Sequence, residues 1–195
     1  MEKSIPEHDQ DSDPPRTAVF PDKPASGSRA APVKPFVLRS ADVREGETIG
    51  NTQVFHGMGC TGQNVSPALE WSGAPAATKS FAVTLYDPDA PTGSGWWHWV
   101  MYNIPPNVSK LPPGAGDPAR EWMPGVTHGN TDFGNPGYGG PCPPAGDAPH
   151  RYIFTVHALD VEQLDVPANA TAAMVGFNLH HHLLGKATLT GKYGR

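Results

Sequence analysis

An antiparallel β-fold with a peripheral helix is what this sequence predicts, on three observations. Glycine and proline are abundant, 22 and 23 of 195 residues, and with no strict Gly period they mark turns rather than a collagen helix. Short apolar runs alternate with those turn signals, as sheets of short strands require. The one stretch with helical spacing comes late, after most of the strands, which argues against a doubly wound sheet.

Residues 1 to 35 are rich in Pro, Asp, Glu, Ser and Lys, with Phe20 as their only aromatic. Such a segment buries too little apolar surface to offset its ordering entropy, so a disordered leader is expected there and a folded domain over residues 36 to 195. Within the domain Thr52 to Phe55 is a first candidate strand, followed by the turn His56-Gly57-Met58-Gly59. Leu69 to Trp71 is a short strand ended by Ser72-Gly73. Lys79 to Tyr86 alternates, with Phe81, Val83 and Leu85 on one face and Ala82, Thr84 and Tyr86 on the other. Trp96 to Ile104 and His150 to Leu159 are apolar on both faces and therefore central. A helix is expected from about Asn169 to Leu184, capped by Asn169 or Thr171, striped by Met174, Phe177 and Leu184, and ended by Gly185. Lys186 to Tyr193 forms a closing strand.

Composition excludes several functions. The formal charge is −5 and no basic cluster occurs, so nothing is suited to neutralising a row of nucleic-acid phosphates or to lying on an anionic membrane. No apolar run approaches the length of a membrane span, and the N-terminus lacks the basic and apolar regions of a secretory signal, which makes the cytoplasm the expected compartment.

Strand parity points to the chemistry. Trp96 and His98 lie two apart and share a face, as do His150 and Tyr152. Asp87-Pro88-Asp89-Ala90-Pro91 ends the Lys79–Tyr86 strand in a Pro-fixed loop. A carboxylate, two imidazoles, a phenol and an indole thus converge where strands end. Imidazoles and a phenol can donate to phosphate oxygens, and an acidic partner would hold a histidine protonated. A lone His or Tyr on a strand is more often a satisfied core or surface residue. Two same-face pairs beside Pro/Gly loops favour a site.

Two long segments carry a family resemblance. DPDAPTGSGWWHWVMYNIP (Asp87 to Pro105) and GYGGPCPPAGDAPHRYIFTVHALD (Gly137 to Asp160) are similar to the two signatures of the phosphatidylethanolamine-binding protein family. The wording is nearest its bacterial Raf kinase inhibitor-like branch, which also shares NVSPALEW, NTDFG and the ending GFNLHHHLLGKATLTGKYGR. The resemblance covers Phe36 to Arg195. It implies a mainly β, two-sheet antiparallel fold with one or two peripheral helices, and a small cavity for phosphate, acetate or a phosphorylated headgroup. Carried over, the cavity residues are Asp87, His98, Gly140, Cys142, Pro143, Pro144, His150 and Tyr152, with Trp96 as a wall. The family also implies cis peptide bonds near the site, which Asp-Pro or Pro-Pro steps could supply. Two features depart from eukaryotic relatives: the chain ends in a strand and GKYGR instead of a helix over the pocket, and Trp97 stands where histidine is common.

Other signals are weaker. Consecutive helical residues point about 100° apart, so His180-His181-His182 cannot face one metal ion. Asp132-Phe133-Gly134 lacks the partner motifs of a kinase and reads as a turn, and Ser94 lacks the context of a nucleophile elbow. No metal and no cofactor are expected. Cys60 and Cys142 can form a disulfide or remain thiols. The pair recurs in the bacterial branch, but in a reducing cytoplasm free thiols are the expectation.

The leading reading is a binding protein for a small phosphorylated or carboxylated ligand. One alternative is a small acid/base enzyme, a hydrolase, isomerase or cyclase, using Asp87, His98 and His150 on a carboxylated metabolite. Another is an interaction module inhibiting a kinase or other enzyme. The sequence is compatible with a protein partner and with a homodimer, and with no integral membrane association.

Overall fold

The computed structural model describes residues 34–120 and 123–195. All but the last two residues of the expected leader therefore lie outside the described residues. The ten strands are β1 (Val37–Arg39), β2 (His56–Gly57), β3 (Cys60–Thr61), β4 (Leu69–Ser72), β5 (Ser80–Asp87), β6 (Trp96–Ile104), β7 (Lys110–Leu111), β8 (Thr127–His128), β9 (His150–Leu159) and β10 (Leu183–Tyr193), with helix α1 (Ala172–His181) between the last two. They form an antiparallel five-stranded sheet in the order β10-β9-β5-β6-β8, a three-stranded sheet β1-β4-β7, and the ribbon β2-β3. The fold is mainly β, as the sequence predicts.

The alternation along β5 decides where the layers meet. Phe81, Val83 and Leu85 face inward and pack on Leu38, Leu69 and Trp71 of the small sheet. Ala82 faces outward with Val100 and Tyr102 against Val175 and Leu179 of α1. Each fully buried Leu or Val removed from water contributes roughly 1.5–3 kcal/mol, so the layered core dominates stability.

Two register shifts in the β5–β6 pairing reset this parity. Asp87 opposes Trp96 and Tyr86 opposes Trp97, but Leu85 opposes Trp99. His98 is the extra residue of a bulge, a device that bends a strand and re-aims side chains. Inward parity thus passes from Trp96 and His98 to Trp99 and Met101. An unbroken alternation would have sent His98 to the helix side with Val100.

Four expectations need correction. Thr52–Phe55 is not a strand: residues 51–54 form turns, and the ribbon begins at His56. The helix is shorter than 169–184, capped by Thr171, whose hydroxyl accepts from the Met174 amide at 3.2 Å, and ended at His182 rather than Gly185. Its buried stripe is Ala172, Val175 and Leu179; Met174, Phe177 and Leu184 are exposed, Phe177 by 65%. The helix approaches the sheet closely, with Gly176 beside Trp97, and the face it buries is the one spaced by Ala172, Val175 and Leu179. The third correction is that the described residues contain no cis peptide bond.

The fourth concerns the cysteines, which form a disulfide and are not free thiols. Glycine contacts bring the two loops together. Gly62 packs on the Val54 carbonyl, and Gly140 sits against the Gln53 carbonyl where any Cβ would overlap. Segment 139–144 thereby lies along the β2–β3 ribbon and places the Cys60 and Cys142 Cα atoms 6.0 Å apart, within the range a disulfide spans.

Candidate functional site

Where the inner ends of β5, β6 and β9 meet, a cavity of about 230 Å³ opens. It is smaller than the roughly 300–1,000 Å³ of drug-sized pockets and suits a headgroup. Of the residues the sequence singles out, Asp87, Trp96, His98, Cys142, Pro143, Pro144, His150 and Tyr152 line it. Gly140 does not. It stands behind the wall, donating its amide to Asn64 Oδ1 at 2.8 Å.

Asp87 ends β5 almost fully buried. Its Oδ1 accepts the Asp89 amide and its Oδ2 accepts His150 Nδ1–H, both at 2.8 Å. The pair is set by register, because β9 runs beside β5 with Tyr86 opposite Ile153. The loop beyond is pinned by Arg151, whose Nε and amide donate to Asp89 Oδ2 and whose Nη2 donates to Oδ1 at 2.7 Å. The guanidinium holds the Asp89 carboxyl down at about 2. His150 Nε2 lies 3.6 Å from Asp147 Oδ2.

His98 is held differently. The Gly139 amide donates to the His98 carbonyl at 2.8 Å, and His98 Nδ1 bonds the Gly139 carbonyl at 2.8 Å. A carbonyl only accepts, so Nδ1 carries the proton and the neutral ring presents Nε2 as an acceptor. Burial pushes this imidazole down to about 4, against smaller upward effects of Gly139 and Asp87. At neutral pH His98 is therefore uncharged. Its part in holding an anion as a protonated donor, expected from the sequence, does not fit this geometry.

Tyr152 is wholly buried, and burial first, then the Asp87 carboxylate, raises its phenol. Its hydroxyl and Trp96 Nε1 are buried with no hydrogen-bond partner among the described residues.

Sequence reasoning missed several lining residues. Phe133, at the tip of the Asp132-Phe133-Gly134 turn, stacks on Phe55 at 4.6 Å and meets Trp96 and His98 edge-on. Met58, from the ribbon turn, and Thr92 complete part of the rim. Most consequential is Arg195. Its Nε donates to the Pro143 carbonyl, Nη1 to Gly59 and Nη2 to Met58, at 2.8, 3.1 and 3.3 Å. Of five guanidinium N–H groups, three are spent and two remain, on a side chain that lines the cavity. The signal was available in principle: β10 pairs with β9 so that Tyr193 opposes His150, which carries residue 195 past the site.

Comparison with known proteins agrees with this architecture. Residues 39–194 match the phosphatidylethanolamine-binding protein family. The chain is 53% identical to Escherichia coli K12 YbhB over 156 residues, 80% of this chain and 98% of that protein. It is 49% identical to YbcL of the same organism, over 81% of this chain and 87% of YbcL. The crystal structure of E. coli YbcL, described as a new member of the mammalian PEBP family, superposes with a TM-score of 0.80 at 48% identity, covering 82% of this chain and 98% of that one. The Chlamydia trachomatis homologue CT736 gives 0.68 at 32% identity, over 82% and 97%. Together with the layered antiparallel fold, these matches establish that the chain belongs to the phosphatidylethanolamine-binding protein family.

Proposed function

We propose that this protein binds a small ligand through an oxyanion, a phosphate, phosphorylated headgroup or carboxylate, in the cavity between Asp87, His98, His150 and Arg195. One observation carries the reading: the Arg195 guanidinium lines a headgroup-sized cavity with two of its five N–H groups unspent. Its other three N–H groups hold the Pro143, Gly59 and Met58 carbonyls, which fixes the guanidinium beside the cavity. A charge-assisted hydrogen bond from this guanidinium to an oxyanion contributes about 1.5–3 kcal/mol. Calorimetric titration of the full chain with O-phosphorylethanolamine, inorganic phosphate and acetate tests it. Binding of at least one at a single site is expected; no binding of any refutes the reading.

A second reading rests on the 2.8 Å Asp87–His150 bond. A carboxylate that orients an imidazole is half of a general-base pair, and turnover of a carboxylated metabolite would then require His150. We rank it below binding, since no activated nucleophile stands beside the pair among the described residues.

The Cys60–Cys142 bridge favours an oxidising compartment over the reducing cytoplasm expected from the sequence. Among the described residues no helix is long and apolar enough to cross a membrane.

A further inference from the structure

Building on the oxyanion reading, we propose that the cavity selects an oxyanion still carrying one proton, a phosphate monoester monoanion in preference to a sulfate ester, a phosphodiester or the monoester dianion. The hydrogen-bond inventory of His98 carries this. Nδ1–H is committed to the Gly139 carbonyl, and Nε2 bonds no protein group among the described residues. Nε2 is also not sealed off, unlike Trp96 Nε1 and Tyr152 Oη, so it faces the cavity as an acceptor. A fully deprotonated oxyanion offers acceptors only and would set lone pair against lone pair at Nε2. A P–OH group donates there, while its remaining oxygens accept from Arg195.

Charge at the site points the same way. Asp87 on β5 is a buried carboxylate with both oxygens engaged. Asp132 in the turn beside Trp97 and Asp147 on the loop before β9 add negative charge. Arg195, beyond β10, is the one arginine or lysine among the described residues that line the cavity; His150 and Tyr152 of β9 are the other titratable groups there among those residues. A second negative charge on the ligand meets these carboxylates in a partly desolvated site, where like charges are costly. Burial supports the acceptor role of His98, keeping its ring neutral down to about pH 4.

Three probes of similar size separate the possibilities: methyl phosphate, which loses its second proton near pH 6, and methyl sulfate and dimethyl phosphate, which have no proton to give at neutral pH. Each is titrated into the full chain between about pH 5 and 8. Methyl phosphate affinity is expected to fall by about tenfold per pH unit once its second proton is lost. Methyl sulfate and dimethyl phosphate are expected to bind at least about tenfold more weakly than methyl phosphate at the acidic end, the worth of one hydrogen bond. The sulfate result distinguishes this from attraction to a charged imidazole, which would make sulfate binding fall through the histidine range as well. His98→Phe keeps a ring between Phe133 and Tyr152 and is expected to remove the preference for methyl phosphate over methyl sulfate. Because that variant can fail to fold, imidazole nitrogen NMR on the wild type gives an independent reading, with Nε2 unprotonated at neutral pH. Equal affinity for methyl sulfate and methyl phosphate, monoester affinity that is level or rises with pH, or a protonated Nε2 in the free protein at neutral pH would each overturn the selectivity. Failure of all three probes to bind would instead overturn the oxyanion reading on which it rests.

Discussion

Acidification should destabilise this protein before its carboxylates titrate, and His98 sets the effect. Its folded pKa is about 4 against an ordinary 6.5, because the buried ring cannot be charged without losing water. Above pH 6.5 neither folded nor unfolded chain holds the proton, and stability is at its full value. Between 6.5 and 4 the unfolded chain takes up a proton that the folded chain refuses, so stability falls as pH falls and levels off below 4. At about 1.4 kcal/mol per pKa unit the loss comes to roughly 3–4 kcal/mol. For a domain of this size that is roughly 7–14 °C in Tm. His157, lowered to about 4 as well but only half-buried, adds a smaller loss of the same sign. Asp89, held near 2, loses its stabilisation only below the ordinary 3.8 and leaves this window clear. The assay is denaturant unfolding against pH in buffers free of phosphate and carboxylate, for wild type and His98→Phe. The variant should be less stable at neutral pH, leaving the Gly139 carbonyl unpaired, yet its stability should fall less between 6.5 and 4. Equal pH slopes in the two proteins would refute the reasoning.

Three further outcomes are expected. The purified chain should migrate and weigh as the oxidised form without reductant, and breaking a bridge across 82 residues by Cys60→Ser with Cys142→Ser should cost about 4 kcal/mol in denaturant melts. Gly140→Ala forces a methyl into the Gln53 carbonyl, and thermal melts should show a loss of about 1–3 kcal/mol, the usual penalty of overpacking. Tyr152→Phe removes a buried hydroxyl that has no partner. Stability should hold or rise in the same melts, and a loss of stability would show that the hydroxyl is satisfied within the protein.

The local geometry of the site was legible because period-two alternation is robust over short spans. Trp96 with His98, and His150 with Tyr152, are each adjacent same-face pairs, and all four reach one cavity. The bulge at His98 was not legible. The run WWHWVMYNI is apolar on both faces, so nothing in it marks where inward parity changes. The helix stripe failed for a related reason. Met174 and Phe177 are large and apolar, but Ala172, Val175 and Leu179 share a second face at i, i+3 and i+7, and that is the face α1 packs on the sheet. Phe133 and Arg195 sit on segments whose arrival depends on loop packing and on the register of the last strand. Family resemblance supplied Cys142, Pro143 and Pro144 as cavity residues; the thiol expectation followed from an assumed compartment and not from the residues themselves.

The central claim is that the cavity lined by Arg195 holds a small oxyanion, and one calorimetric comparison tests it most directly. Full-length protein purified without phosphate is titrated with methyl phosphate near pH 6, where a phosphate monoester is about half monoanion, beside Arg195→Ala. The exposed side chain contributes little to the core, so the variant should remain folded. Wild type should bind at one site, and the variant should bind at least about tenfold more weakly, the loss of a charge-assisted hydrogen bond. Identical affinities, or no binding of methyl phosphate by the wild type, would contradict the account.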